Sequence, residues 1–401
     1  MKCLSFDIAK GKSVVGLFDG EMNQLIPPCE IAHTREELEN LLSLLNQRET
    51  EVILEATSVY HYPVCHFFEK NGFRVIVVNP IISKRHRQTL RATKTDRIDC
   101  INLAHIYFNE FYNLQNSCAN DYKNMQARAR HIDSQLQALV KLKNRFHQVL
   151  ELVFPLLEYE MAPTTLFKPY VLNFLCMYQH PEIIGKLRID RVVNVLSSFK
   201  NTKTQYSLRT GKRIKELAQK SLSTVEPTDY LCEELQSLAS DIQRMQIRID
   251  ERKLDLIKRA REKEDYHFIR TIPGFGDYST AALISELKDI SAYKTPKQLN
   301  AAAGLDPTII QSGKSINYHG PISKKGSRLS RKILFNVVVV INCLSARDNP
   351  ENLIATYYKK KRSEGKHHYA CVIACTTKLL RIIHTLCCKK MEYCSSLTMT
   401  A

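Results

Sequence analysis

The sequence predicts an α/β layer followed by a long, mainly helical remainder, and three observations carry that reading. Apolar runs of strand length alternate with helical spacing over the first 115 residues. Two stripes of a/d heptads then run through the middle of the chain. A Pro-Gly turn between helical patterns opens the last third. The first element, residues 3–8 (Cys-Leu-Ser-Phe-Asp-Ile), reads as a strand. A second strand, 13–18, ends at the turn pair Asp19-Gly20. Leu38, Leu41, Leu42 and Leu45 recur at helical spacing over 36–45. Residues 51–55 form a short buried strand, 59–71 a helix broken near Pro63, 73–79 a strand ended by Pro80, and 95–108 a helix. This order predicts a mixed sheet with helices packed on it.

Met125, Ala129, Ile132, Leu136, Leu139, Phe146, Leu150 and Val153 fall on alternating steps of four and three, interrupted by Lys143. Leu231, Leu235, Leu238, Ile242, Met245, Ile249 and Leu256 repeat the pattern, interrupted by Arg252. These are coiled-coil-type helices over 121–153 and 231–259, either an intramolecular pair or a dimerisation arm. The expected division is 1–115, a helical region 116–265, a third unit 266–392, and a polar tail 393–401 that frays. In the third unit, Thr295-Pro296-Lys297-Gln298 carries the marks of a helix start, and a Gly- and Ser-rich loop is expected from 306 to about 327.

The 401 residues hold 58 Lys and Arg against 41 Asp and Glu, a formal charge of +17. That balance points to a polyanion, nucleic acid before an acidic membrane surface. The longest apolar run, 333–344, is too short to span a bilayer, and Asp7 stands where a secretory signal needs an apolar core. A soluble, cytoplasmic protein with no membrane partner is expected, associated with the nucleoid when acting. The 13 cysteines are odd in number and scattered, as in a reducing compartment. Cys371, Cys375, His384, Cys387 and Cys388 have spacing that zinc could use, but they fall on an apolar helical pattern and read better as core.

Four acids stand out. Asp7 lies inside a strand, Glu55 ends one, and Asp96 and Asp99 share a helix face at i and i+3. Burying an acid in an apolar strand is costly unless it is paired or binds a metal. If the strands carrying Asp7 and Glu55 are neighbours, the four carboxylates converge and call for a hard divalent cation, Mg2+ or Mn2+, as used for displacement at phosphorus. The preceding stretch holds Lys84, Arg85, Arg87, Arg91 and Lys94 and no acid, which suits a phosphate backbone. Ile272-Pro273-Gly274-Phe275-Gly276 resembles a helix-hairpin-helix, whose glycines let backbone N–H groups face a phosphate. The later cationic loop carries Lys314, Lys324, Lys325, Arg328 and Arg331, and within it Gln311-Ser312-Gly313-Lys314-Ser315. A serine there could attack phosphorus. On chemistry alone Ser312, Ser315 and Ser323 are equivalent.

Taken together, Ser-Phe-Asp-Ile-Ala, Leu-Glu-Ala-Thr, Lys-Thr-Asp-Arg-Ile-Asp, Ile-Pro-Gly-Phe-Gly, Ala-Ala-Gly-Leu-Asp-Pro, Gln-Ser-Gly-Lys and Ile-Ser-Lys-Lys-Gly-Ser-Arg-Leu-Ser-Arg resemble the DEDD transposases of bacterial insertion sequences, the insertion sequence one-ten family of bridge-RNA-guided serine recombinases. The resemblance implies an N-terminal RuvC-like, ribonuclease-H fold and a C-terminal transposase domain. It further implies a composite active site in which Asp7, Glu55, Asp96 and Asp99 hold Mg2+ and Ser312 is the nucleophile. Donor and target DNA, a structured guide RNA and a homo-oligomer (dimer or tetramer) are the implied partners, which favours the dimerisation reading of the heptads. Two other readings compete: a junction-resolving nuclease using water as nucleophile, and a nucleic-acid-binding protein without catalysis.

Overall fold

The computed structural model describes residues 1–78, 80, 83, 95–110, 120–198, 204–312, 316–346 and 352–394. The chain divides into two units, Met1–Ala119 and Asn120–Ala401. The first unit runs β1 (Lys2–Ile8), β2 (Lys12–Phe18), β3 (Gln24–Ala32), α1 (Arg35–Ser43), β4 (Thr50–Glu55), α2 (His61–Lys70), β5 (Val75–Val78) and α3 (Asp96–Glu110). Its sheet has the order β3-β2-β1-β4-β5, with β1, β2 and β3 antiparallel and β1, β4 and β5 parallel. The expected mixed sheet is therefore present, with one strand more than the sequence predicts. β3 contains Pro27 and Pro28, which cannot donate to a ladder. It occupies the sheet edge, where a proline is tolerated.

Strand alternation divides this unit into two cores. Leu4, Phe6, Val52 and Leu54 face Leu38, Leu41, Val64 and Phe68. Cys3, Ile53, Ile76 and Val78 face Cys100, Leu103, Ala104 and Tyr107 of α3. One residue of slip in β1 would exchange the two sets and carry Asp7 into the wrong layer.

The second unit contains α4 (Asn120–Val153), the short helices α5 (Pro155–Glu160), α6 (Pro163–Leu166), α7 (Pro169–Met177) and α8 (Pro181–Lys186), then α9 (Ile189–Ser197), α10 (Thr204–Lys220) and α11 (Tyr230–Ala260). α5 to α8 each begin on a proline, whose missing N–H costs nothing at that position. There follow α12 (Glu264–Arg270), α13 (Asp277–Leu287), α14 (Pro296–Ala303), the hairpin β6 (Pro307–Ser312) and β7 (Ile316–Ile322), α15 (Arg328–Ser345), α16 (Leu353–Ser363) and α17 (His368–Lys389).

The two heptad helices pair with each other, antiparallel. Arg145 holds Glu234 at 2.7 and 3.0 Å, while Arg128 meets Asp255 at 2.5 Å near the other end. The stripe residues Ala129, Ile132, Leu150, Leu235, Ile242 and Ile249 are buried within this unit. Both interruptions have local partners: the Lys143 ammonium lies 4.3 Å from the Phe167 ring centre, and Arg252 meets His131 Nε2 at 2.6 Å. Residues 116–265 and 266–392, separate in the sequence reading, contribute to one hydrophobic cluster running from Met125 to Cys387.

Three further departures have simple causes. The loop expected over 306–327 is largely a β-hairpin, because Thr308-Ile309-Ile310 and Ile316-Asn317-Tyr318 supply β-branched and aromatic residues on either side of Ser-Gly-Lys. The tail does not fray at once: the Tyr393 amide donates to Thr271 Oγ1 at 2.9 Å. α17 is long and apolar enough to cross a bilayer, but over half of its most apolar stretch is buried in the unit. Cys371, Cys375 and Cys387 lie in that buried face, and burial pushes the Cys375 thiol up to about 12. No cluster of three or more metal-ligating side chains occurs among the described residues.

Candidate active site

β1 and β4 are parallel neighbours, with Leu4 opposite Val52, Ser5 opposite Ile53 and Phe6 opposite Leu54. The next step of that ladder brings Asp7 beside Glu55. Both then point to the face that α3 covers, because they alternate with Phe6 and Leu54 of the opposite core. α3 is fastened to this face at its first turn. Thr95 Oγ1 caps the helix by accepting from the Ile98 amide at 3.3 Å, and the Ser5 hydroxyl donates to the Cys100 carbonyl at 2.9 Å. Burial pushes the Cys100 thiol up to about 12, and the Asp7 carboxylate adds to the effect, so Asp7 lies within electrostatic reach of that turn.

The two aspartates of α3 differ. Asp99 is 4% exposed and sits on the covered face beside Cys100. Asp96 is exposed at the helix start. Its field reaches Lys12, whose ammonium is raised first by its bond to Glu30 and to a smaller degree by Asp96. Glu51, a fifth acid on this face, takes bonds from Arg74 at 2.9 Å and from the Tyr107 hydroxyl at 3.1 Å, toward the other end of the strands.

The carboxylate donor set suits Mg2+ or Mn2+ in kind. Among the described residues, however, no three His, Cys, Asp or Glu side chains stand close enough to hold an ion together. Asp7 and Glu55 thus lie at one end of the sheet, Asp99 is buried on α3, which covers that face, and Asp96 is exposed; the expected convergence of all four does not appear as one close cluster among the described residues.

In the second unit, Ser312 is the last residue of β6 and pairs with Ile316 across the hairpin end. The hairpin base is closely held. Ser323 N donates to Asp306 O at 2.7 Å, Lys324 N to Gly304 O at 3.1 Å and Ser327 N to Ala302 O at 2.9 Å. Gly304, at φ +67°, ends α14 and touches Gly326. A Cβ on Gly326 would stand 2.2 Å from Ala302 O, and one on Gly304 would stand 2.4 Å from Gly326 N. Arg331 Nη1 donates to Ala303 O and Gly326 O, both at 2.9 Å, and burial lowers its pKa. That nitrogen braces the base, whereas Lys324, Lys325 and Arg328 are exposed. Lys84, Arg85, Arg87, Arg91, Lys94, Gly313, Lys314 and Ser315 lie outside the described residues.

The turn between α12 and α13 has Gly274 at φ +93°, packed against Ile341, where a Cβ would come within 2.7 Å. The Gly276 amide already donates to Ser279 Oγ at 2.9 Å. The Asp277 carboxylate, at the start of α13, accepts from Arg270 at 2.6 Å and Arg261 at 3.1 Å. A phosphate at this turn would have to exchange with those bonds.

Sequence reasoning missed Glu286. Its side chain has no exposure and accepts from Arg130 at 2.7 and 3.0 Å, from Ser327 Oγ at 2.8 Å and from Gln126 at 3.3 Å. Ser327 also caps α15, so this carboxylate ties α4 and α13 to the hairpin base. The available signal was an acid just after the apolar run 281–284 and before Leu287 on the same helix, which demands a partner if that helix is buried.

Two family models match the chain. One, described as Transposase of the DEDD IS110 type, covers residues 4–155, and the other, described as Transposase IS116/IS110/IS902 family, covers 266–354. Similar proteins include the insertion element IS900 uncharacterized 42 kDa protein of Mycobacterium paratuberculosis, 27% identical over 36% of this chain and 35% of its own length. The pilin gene-inverting protein of Moraxella bovis is 29% identical over 29% of this chain and 35% of its own. The insertion element IS110 uncharacterized 43.6 kDa protein of Streptomyces coelicolor is 27% identical over 29% of this chain and 27% of its own. The matched stretches thus span about a third of these relatives' lengths or less. Both models name the same group and together take in the sheet acids and the serine hairpin: the chain belongs to the IS110 family of transposases.

Proposed function

We infer that the chain cuts and rejoins DNA strands to move an insertion sequence, with Asp7, Glu55, Asp96 and Asp99 as metal ligands, Ser312 as nucleophile, and a structured RNA guiding the choice of DNA. The first unit would have the RuvC-like, ribonuclease-H fold, and the α12–α13 turn would be a helix-hairpin-helix. DEDD transposases generally use a divalent metal; here Mg2+ or Mn2+ would stabilise charge at phosphorus. The Ser312 oxygen would form a bond to phosphorus as the bond to one deoxyribose oxygen breaks. The departing oxygen leaves as a hydroxyl, taking up the proton that serine releases. The phosphoserine link keeps the ester energy for rejoining.

The observation that supports this reading is the parallel β1–β4 register, in which Phe6 pairs with Leu54 and Asp7 and Glu55 are the next residues, together with the burial of Asp99 on α3. The pilin gene-inverting relatives, named for inverting a DNA segment, support the strand-exchange part. The test is incubation of the protein with donor and target DNA, the RNA flanking its gene, and Mg2+. A protease-sensitive DNA–protein species is expected, and Ser312→Ala should abolish both it and the recombinant product. Cleavage that survives Ser312→Ala without an adduct would instead establish a water-using nuclease.

A further inference from the structure

In the second unit, α15, α16 and α17 bring together a group of aromatic rings, Phe335 and Tyr358 partly buried and Tyr369 exposed. Tyr369, near the start of α17, is 63% exposed. Its ring lies nearly parallel to Phe335 of α15 (centroids 5.9 Å apart, planes 27° apart) and to His367 (5.5 Å, 23°). The neighbouring imidazole of His368 is fixed by Tyr358, whose hydroxyl stands 2.7 Å from Nδ1. These are ordinary offset stacks, with His368 meeting Tyr369 edge-on at 5.5 Å; what sets the group apart is that the Tyr369 ring remains largely open to solvent.

The sequence leading to the rings is mostly cationic: residues 359–369 hold Lys359, Lys360, Lys361, Arg362 and Lys366 and a single acid, Glu364. That acid is already engaged by Lys361 at 2.9 Å and Lys366 at 3.3 Å. Lys359 and Lys360, on α16, are exposed. Parallel aromatic faces beside cations match one ligand chemistry, unpaired bases on a phosphate backbone. A duplex offers the phosphates but keeps its base faces inside the stack.

We propose that the Phe335–Tyr369–His367 ring row, together with Lys359 and Lys360 on the helix whose Tyr358 meets His368, forms a binding site for single-stranded nucleic acid, with a base stacked on Tyr369. This deepens the proposed function, which requires unpaired strands of RNA or DNA, but it can fail independently because it is read by binding alone.

The test uses the full chain and fluorescence anisotropy with labelled thymidine and uridine homopolymers of ~20 nucleotides and a duplex of the same length. Tyr369→Ala should weaken homopolymer binding about tenfold and duplex binding less than about twofold. Tyr369→Trp should restore it. The double substitution Lys359→Gln, Lys360→Gln should reduce the salt dependence of homopolymer binding, the slope of log K on log salt, by about 1.4. Equal losses for both homopolymers would assign the site to any unpaired strand, and a loss for one alone would identify its natural strand. The proposal is overturned if Tyr369→Ala binds homopolymers as the parent does, loses duplex by the same factor, or changes only self-association in sedimentation. Adduct formation at Ser312, measured separately, stands or falls on its own.

Discussion

The two units position their candidate site residues by opposite means. In the first, Asp7 and Glu55 grow from adjacent central strands, so their separation follows from hydrogen-bonded register and needs no further support. In the second, Ser312 stands at the end of a two-stranded ribbon, a form with little stability of its own. Its placement depends on what grips the base: Gly304 against Gly326, Arg331 on two carbonyls, and Glu286 on Ser327. A strand position is set by backbone pairing along the sheet, whereas a hairpin tip is only as well placed as its root. Substitutions in the first unit should therefore separate chemistry from stability, and those at the hairpin root should not.

The largest effect is expected for Asp7→Asn. On the proposed reading of Asp7 as a metal ligand, recombinant product should fall at least about a thousandfold, roughly 4 kcal/mol in the barrier. The amide keeps the shape and removes a like charge, so thermal melting should stay within about 2 °C of the parent. Asp99→Asn should follow it closely, while the exposed Asp96→Asn should lose less. Near-parent recombination by Asp7→Asn would remove the sheet acids from the chemistry, whatever their register.

Gly326→Ala should show the contrary pattern. Its methyl group would have to displace Ala302 O from 2.2 Å, in a contact made of backbone on both sides. A cost of about 3 kcal/mol is expected, seen as a drop in melting temperature of roughly 6 °C or more, with activity lost alongside. An unchanged melting curve would mean that the Gly–Gly contact does not hold the hairpin.

This contrast also explains what was legible in the sequence. Strand period, heptads and capping residues are local signals, and the mixed sheet, the two long helices and the Thr295 cap are all present. β3 was illegible because its prolines argue against a strand until its place at an edge is known. The hairpin was hidden because Gly, Ser and Lys dominate its middle, while its pairing depends on residues on both sides of them. Of the candidate site, the neighbouring of Asp7 and Glu55 needed only the guess that β1 and β4 adjoin. The unequal burial of Asp96 and Asp99 required knowing which side of α3 meets the sheet. For Glu286 the acid in its apolar helix is a local signal, but its partner is not, since Arg130 is 156 residues away.

The smallest effect tests whether the α12–α13 turn contacts phosphate. The Arg270 guanidinium holds the Asp277 carboxyl below the usual carboxylate range, with Arg261 adding to it. A depressed folded-state pKa contributes stability that is full above the unfolded value, near pH 4, and disappears as pH falls through the folded value. Asp277 is solvent-accessible and screened, so the contribution is under about 1 kcal/mol. Asp277→Asn should therefore flatten the acid limb of a stability-against-pH curve and change little at neutral pH. The same substitution frees both arginines and removes an anion from the start of α13, which attracts negative charge. If that turn grips a DNA phosphate, duplex affinity at low salt should rise about two- to threefold, with a steeper salt dependence. Unchanged affinity would mean that the two glycines serve the packing against Ile341 and the Ser279 cap, and that DNA is held elsewhere.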